Sequence, residues 1–441
     1  MSLLRKYRID STSLMRRSAT VFGAILLGLA AIAFAKCGEV AQQTFARGFA
    51  ASPYLAAAVT PFVFVAVVGI TRRWFPDARG SGIPQVMAAS HNPAVSANGR
   101  LISLRTAMAK FIGTLAMLLG GGAVGREGPT VQISAALMIA VHRWLRVPIN
   151  AGVIIAGGAA GVAAAFNTPL AGVAFAIEEL AAAFEQKVAV LVMAAVMISG
   201  LVSLGIAGDY VYFGAMTRHL AIRDIVVLAP VIGVLGGLAG GGFSRILIAI
   251  TNSTYRPFVI ARAHPLALAF FCGTLVAFAG LASNGTSWGT GYETTRQLLG
   301  GEQASLAFGP AKFVASLATA LSGAPGGIFA PSLSVGAGLG HLVAFFAKGE
   351  PSGALVLLGV AAYFTGVVRA PLTSVIIVME MTADRSMIIP LFITAILADW
   401  VSSRVSHPKL YHALAQGFRL PLERRTAPET PTATGANLAP D

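Results

Sequence analysis

The chain has 441 residues, of which 56% are hydrophobic and only 11% charged, against about 25% charged in ordinary soluble domains. Its mean hydropathy is +0.74 and its formal net charge is +14. That balance excludes a soluble globular fold. It also excludes a nucleic-acid partner, because the cations gather on no polar domain; they flank apolar runs, as in a membrane protein with basic cytoplasmic loops.

In chain order, Arg5, Lys6, Arg8, Arg16 and Arg17 make residues 1–17 a basic cytoplasmic arm. The apolar run 19–35 follows without a cleavage signature and reads as a retained helix. Further apolar runs cover 55–70, 151–177, 188–207, 225–242, 265–282 and 354–368; a straight span needs roughly 20 such residues. Runs 131–141 and 372–379 are shorter, and short apolar helices can stop partway across when protein covers their freed backbone. Cys37 and Cys272 sit in or beside apolar runs and read as small core residues. The seven histidines have no metal-ligand spacing, so no metal or other cofactor is expected. Residues 406–417 form a short helix containing Tyr411, and 418–441 read as a disordered cytoplasmic tail rich in Pro, Thr and Ala.

The runs repeat. From Lys110 the chain reads KFIGTLAMLLGGGAVGREGPT and from Lys312 KFVASLATALSGAPGGIFAPS, an offset of 202. Without a gap, the same offset carries Pro169-Leu170 onto Pro371-Leu372 and Glu178 onto Glu380. The chain therefore divides into a first membrane repeat over 18–208, a loop over 209–221 and a second repeat over 222–405. If each repeat crosses the bilayer an odd number of times, the copies are inverted and meet around a two-fold axis in the membrane plane. The fold class is an all-α membrane protein whose tilted and broken helices meet at a midplane site. Glu127 and Phe329, equivalent under the offset, should flank that site from its two ends.

Three Gly-rich, Pro-bearing peptides stand at apparent helix starts: Gly80-Ser81-Gly82-Ile83-Pro84, Gly125-Arg126-Glu127-Gly128-Pro129 and Gly326-Gly327-Ile328-Phe329-Ala330-Pro331. A helix start presents unpaired N–H groups and the positive end of the dipole. Several starts aimed at one point bind an anion without a full positive charge that would trap it. A carboxylate there, Glu127, is itself an anion and competes for those N–H groups until it is protonated. Ionisable groups inside an apolar run are costly, which singles out Glu178 and Glu179 as candidates for a proton path. Adjacent residues point about 100° apart on a helix, so only one of the two need face the interior. Lys110 and Lys312, equivalent under the repeat, read as structural. Gly80-Ser81-Gly82 lacks the G-x-S-x-G frame of a serine nucleophile, and no enzymatic activity is expected.

Ser81 in GSGIP, Glu127 in GREGP, Phe329 in GGIFAP and Tyr411 near the end resemble the chloride-site signature of the CLC chloride channels and transporters, in order and spacing over about residues 18–417. The similarity is greatest to the bacterial chloride/proton exchangers that lack C-terminal regulatory domains. The resemblance implies a homodimer in the bacterial inner membrane, with one pore per subunit and both termini cytoplasmic. It implies that Ser81 and Tyr411 hold the central chloride from the inner side. Backbone around Gly125, Arg126, Gly128, Ile328 and Phe329 would line the path. Glu127 would be the external gate and Glu179 the internal proton-transfer residue. Glu178, matched to Glu380, would have a structural task such as bonding backbone N–H groups. The acid at Glu179 favours an exchanger over the alternative, a passive chloride channel of the same fold. Gln85 and Met87 stand where some bacterial exchangers carry acids, which leaves the internal proton entrance open. Ser81 and Pro129 depart from the fluoride-exporting branch, and Ser81 from the nitrate-preferring one.

Overall fold

The computed structural model describes residues 11–180, 186–208, 213–214, 222–347, 352–382 and 386–424. Among these residues it is all-helical, as expected. The first half contains α1 Ser11–Ala51, α2 Pro53–Trp74, α3 Ile83–His91, α4 Pro93–Asn98, α5 Leu104–Leu119, α6 Glu127–Trp144, α7 Ala151–Phe166, α8 Pro169–Phe175 and α9 Gln186–Ala207. The second contains α10 Ile222–Asn252, α11 Arg256–Ala263, α12 Pro265–Ala282, α13 Tyr292–Leu299, α14 Phe308–Ser322, α15 Phe329–Phe346, α16 Ser352–Val368, α17 Pro371–Thr382 and α18 Ile388–Val405. Helix α19, Leu410–Arg424, follows. Seven of the described helices are long and apolar enough to cross a membrane. At 1.5 Å per residue α1 is about 60 Å long, twice a hydrocarbon core, so it must tilt or project.

Several boundaries differ from expectation. Helix α1 begins at Ser11, inside the segment read as an arm, and α19 runs on to Arg424 instead of ending at Gly417. The linker 209–221 lies outside the described residues apart from 213 and 214, and so does the tail beyond 424. The apolar run 151–177 is cut in two. Asn167 takes the left-handed conformation at φ 57° and closes α7, and Pro169 opens α8; proline fits a first helical turn and cannot continue a helix from within. Its repeat-equivalent Arg369 is left-handed too, at φ 61°. After α8 the chain widens into a π turn, Ala176–Leu180, that carries both Glu178 and Glu179.

The repeat is visible in the helices themselves. At the offset of 202, α6 maps end for end onto α15, and the starts of α8 and α9 map onto those of α17 and α18. The halves meet around an internal two-fold axis. Gly125 N donates to Gly327 O at 2.7 Å and Gly327 N to Gly125 O at 2.8 Å. These two residues are each other's equivalents, so the axis passes between them. Glu178 accepts from the N–H groups of Leu372 and Thr373, at 3.1 and 2.7 Å, and caps α17. Glu380 reciprocally accepts from Leu170 and Ala171, at 3.1 and 2.8 Å, and caps α8. Such exchange of identical contacts is what a two-fold axis imposes. It also bears out the structural task expected of Glu178.

Candidate functional site

The site grows from the unpaired ends of short helices near the axis. Helices α6 and α15 begin at Glu127 and Phe329 on either side of the Gly125–Gly327 pair. Those glycines leave no room for a side chain: a β-carbon on Gly327 would lie 3.0 Å from Gly128 N and 3.1 Å from Gly125 O. Beside them, Gly80-Ser81-Gly82 turns into α3 with Gly80 and Gly82 at φ 65° and 107°, values that suit glycine alone. Gly80 ties this turn to the second repeat, donating to Ala324 O at 3.2 Å and accepting from Gly326 N at 3.1 Å.

Each turn is held down by a buried lysine. Lys110 Nζ donates to Gly80 O at 2.6 Å and Arg79 O at 3.1 Å. Lys312 Nζ donates to Gly289 O at 2.7 Å and Ser287 O at 3.0 Å. Both amino groups therefore bond turn carbonyls rather than face an open path. Gln85 is fully buried, and its amide donates to Arg79 O at 2.7 Å and Asp77 O at 3.2 Å. Where an acid was a possible expectation, this chain has a turn clamp.

The second lysine exposes a motif that the fixed offset of 202 hides. Gly289-Thr290-Gly291-Tyr292 is the counterpart of Gly80-Ser81-Gly82-Ile83. Gly289 and Gly291 have φ 63° and 83°, and α13 starts at Tyr292 as α3 starts at Ile83. The offset here is 209, because the second repeat has a shorter connection between this turn and its lysine. The G-x-G pattern was the available signal. Its consequence is chemical: Tyr292 Oη donates to Glu127 Oε1 at 2.7 Å.

Glu127 is fully buried. Its second oxygen has no hydrogen-bond partner of good geometry among the described residues, although the backbone N–H of Ala330, in the first turn of α15, lies beside the carboxylate. The neighbouring Arg126 side chain leaves the axis. Its guanidinium donates to Ala35 O at 2.6 Å and to Glu39 Oε1 at 3.3 Å, so only its backbone remains near the glycines.

Two cavities approach this core. One, of about 410 Å³, is lined by Gly80, Ser81, Gly327, Ile328 and Tyr411 together with Arg72, Arg79 and Arg262. The other, of about 610 Å³, is lined by Glu39, Gln42, Arg126, Thr290, Tyr292 and Arg296. The Gly80 turn borders the first and its repeat equivalent borders the second. A two-fold axis in the membrane plane exchanges the two faces, so the cavities open on opposite sides.

In the first cavity the hydroxyls of Ser81 and Tyr411 are buried and close to one another, and neither makes a hydrogen bond of good geometry among the described residues. Orphan buried hydroxyls cost about 1–3 kcal/mol each, and an anion accepting from both would satisfy them. The Phe329 ring packs 5.9 Å from the Tyr411 ring and 4.9 Å from that of Phe364, so its side chain walls the site and only its N–H can serve a ligand. Gly128 lies against Ser81; a β-carbon there would collide with Oγ. The geometry thus gathers Ser81, Tyr411, Ile328, Phe329, Gly125, Gly128 and Glu127 around one centre.

Glu179 stands apart. Its carboxylate is completely buried, 3.6 Å from Lys409 Nζ and 3.5 Å from His412 Nδ1 at the start of α19. Among the described residues the fully buried carboxylates are thus Glu127, beside the axis, and Glu179, under the start of α19.

Known proteins match this architecture. A family model described as voltage gated chloride channel matches residues 62–403. An H(+)/Cl(-) exchange transporter ClcA of Yersinia pestis bv. Antiqua (strain Angola) is 30% identical over 434 residues, covering 92% of this chain and 88% of that protein. ClcA of Yersinia pseudotuberculosis serotype O:3 (strain YPIII) is similar to the same extent. Among solved structures, a slow cyanobacterial Cl-/H+ antiporter superposes with a TM-score of 0.76 at 23% identity, over 94% of this chain and 99% of its own. A CLC-type fluoride/proton antiporter superposes with a TM-score of 0.77 at 22% identity, over 91% and 98%. These likenesses show the fold. With the family match over most of its length and relatives aligned nearly end to end, the chain belongs to the voltage gated chloride channel family.

Proposed function

We propose that the protein is a secondary active transporter that exchanges chloride for protons across a bacterial inner membrane, as the names of its relatives indicate for them. The observation that carries the reading is Glu127: a fully buried carboxylate at a helix start, among other helix starts, beside the internal two-fold axis. Ionised, it occupies N–H groups that would serve a chloride. Protonated, it gives up that claim. One side chain thereby links proton binding to anion passage, because each ligand excludes the other from the same donors.

Ser81 and Tyr411 hold the central chloride from the cytoplasmic side with two neutral donors. Backbone around Gly125, Arg126, Gly128, Ile328 and Phe329 lines the path past Glu127, the external gate. Neutral donors and dipole ends bind weakly enough for release. Glu179 receives protons on the cytoplasmic side. Arg16 and Arg17 at the start of α1 and Arg419 on α19 support cytoplasmic termini by the excess of cations on that face. The assembly is a homodimer with one pore per subunit, and chloride is the only bound species required.

The purified full chain in liposomes tests the reading. A chloride gradient should drive proton uptake against a proton gradient. Glu127→Gln should keep chloride flux and abolish proton movement, since a neutral amide cannot titrate. Uphill proton transport by that variant, or none by the unmodified chain, would remove this function.

A further inference from the structure

Glu179 is sealed from water, so a proton that reaches it must come through whatever covers it. Its side chain has no exposure, whereas that of His412 is 47% exposed and that of Lys409 is 32% exposed. Neither carboxylate oxygen has a hydrogen-bond partner among the described residues. Lys409 Nζ is shared between Glu179 Oε2 and the carbonyl of Glu178, at 3.6 and 3.5 Å. His412 Nδ1 lies 3.5 Å from Oε1, a gap that a small ring rotation closes. Imidazole is the side chain that exchanges protons near neutral pH.

We propose that His412 is the cytoplasmic proton entrance, passing protons from water to Glu179. This rests on the exchange reading above and supplies the step left open by Gln85 and Met87. The imidazolium donates its Nδ1 proton to Oε1 and is left neutral. The neutral ring keeps its proton on Nε2 and its lone pair on Nδ1, so it turns Nδ1 to water, takes the next proton there and turns back. Lys409 keeps a fixed cation beside the carboxylate and has no lone pair with which to relay while charged. Tyr411, the adjacent residue, is fully buried. One helical turn therefore presents a phenol to the chloride cavity and an imidazole to the second carboxylate.

The charges around His412 leave it this role. Among the described residues Glu179 is the charged group in contact with it and Lys409 shares that carboxylate, while the Glu178 carboxylate is turned to α17. Of the elements packed on α19, and among their described side chains, α3 carries His91 at its far end, α16 carries the buried Tyr363, and α10 carries Arg245, which donates to Val405 O.

The test is His412→Ala in liposomes, with proton and chloride fluxes followed together and chloride affinity measured by calorimetry. Proton flux should fall at least about tenfold, in keeping with loss of a positioned proton-transfer group. Chloride affinity should stay within about twofold, which reports an intact fold. Added imidazole should restore proton flux in His412→Ala and have no effect in Glu179→Gln. Undiminished proton flux in His412→Ala overturns the proposal, and so does a loss that imidazole cannot rescue. If the unmodified chain moves no protons, the exchange reading has failed first; if it does, the result judges His412 alone.

Discussion

At the scale of single residues, the site is defined by groups left without partners and by one that has gained an unforeseen partner. The Tyr292 hydroxyl donates to Glu127 at 2.7 Å, and a hydrogen bond to a charged acceptor is worth about 1.5–3 kcal/mol. In the proposed exchange cycle it holds the carboxylate where that group competes with chloride. Tyr292→Phe should therefore tilt the competition towards chloride by about tenfold or more, read by calorimetry as tighter binding. Unchanged affinity would mean that Tyr292 only fills space. Tyr411→Ala removes one of the two orphan donors and the ring that packs on Phe329. Chloride binding should weaken by about tenfold, again by calorimetry.

At the scale of elements, what matters is how helices are stopped and what their open ends then meet. Proline starts α8 and α17, and each start is closed by a glutamate from the other repeat. The wider π turn separates Glu178 from Glu179, sending one to cap α17 and the other beneath α19. A cap of this kind contributes about 1–2 kcal/mol. Glu178→Gln and Glu380→Gln should each lower thermal stability in detergent while leaving the proton-to-chloride ratio unchanged. Loss of coupling in Glu178→Gln alone would reverse the roles of the adjacent pair.

At the scale of the whole molecule, duplication around an axis between Gly125 and Gly327 brings equivalent turns to opposite cavities. The cavity on the Tyr411 side collects Arg72, Arg79 and Arg262. Arg262 is committed to carbonyls at the end of α10, including Ile250 O at 3.3 Å, and Arg79 stacks on Phe418 at 4.8 Å. Arg72 is exposed and acts through its field. Arg72→Gln should raise the chloride concentration for half-maximal flux by about threefold at low ionic strength, and the difference should vanish at high salt, where screening shortens its reach to a few ångströms. A salt-independent change would point to a direct contact instead.

Sequence alone determined the membrane class, the duplication and most of the residues gathered at the centre. Each of these depends on local chemistry: apolar runs, glycine breaks and prolines that recur at a fixed spacing. Glu127 stood out for the same reason, as an acid inside a broken apolar helix. Other features are products of packing. The cut in 151–177 follows from the backbone of Asn167, and the division of labour between Glu178 and Glu179 from a π turn that alters the helical register. Tyr292 was hidden because its turn sits at an offset of 209 rather than 202. His412 is one of seven histidines without a recognisable spacing, and only the packing of α19 over Glu179 sets it apart. Only the tertiary structure brings together groups more than 150 residues apart, and hydrogen bonds and charges act over the ångströms between atoms, whatever their separation along the chain.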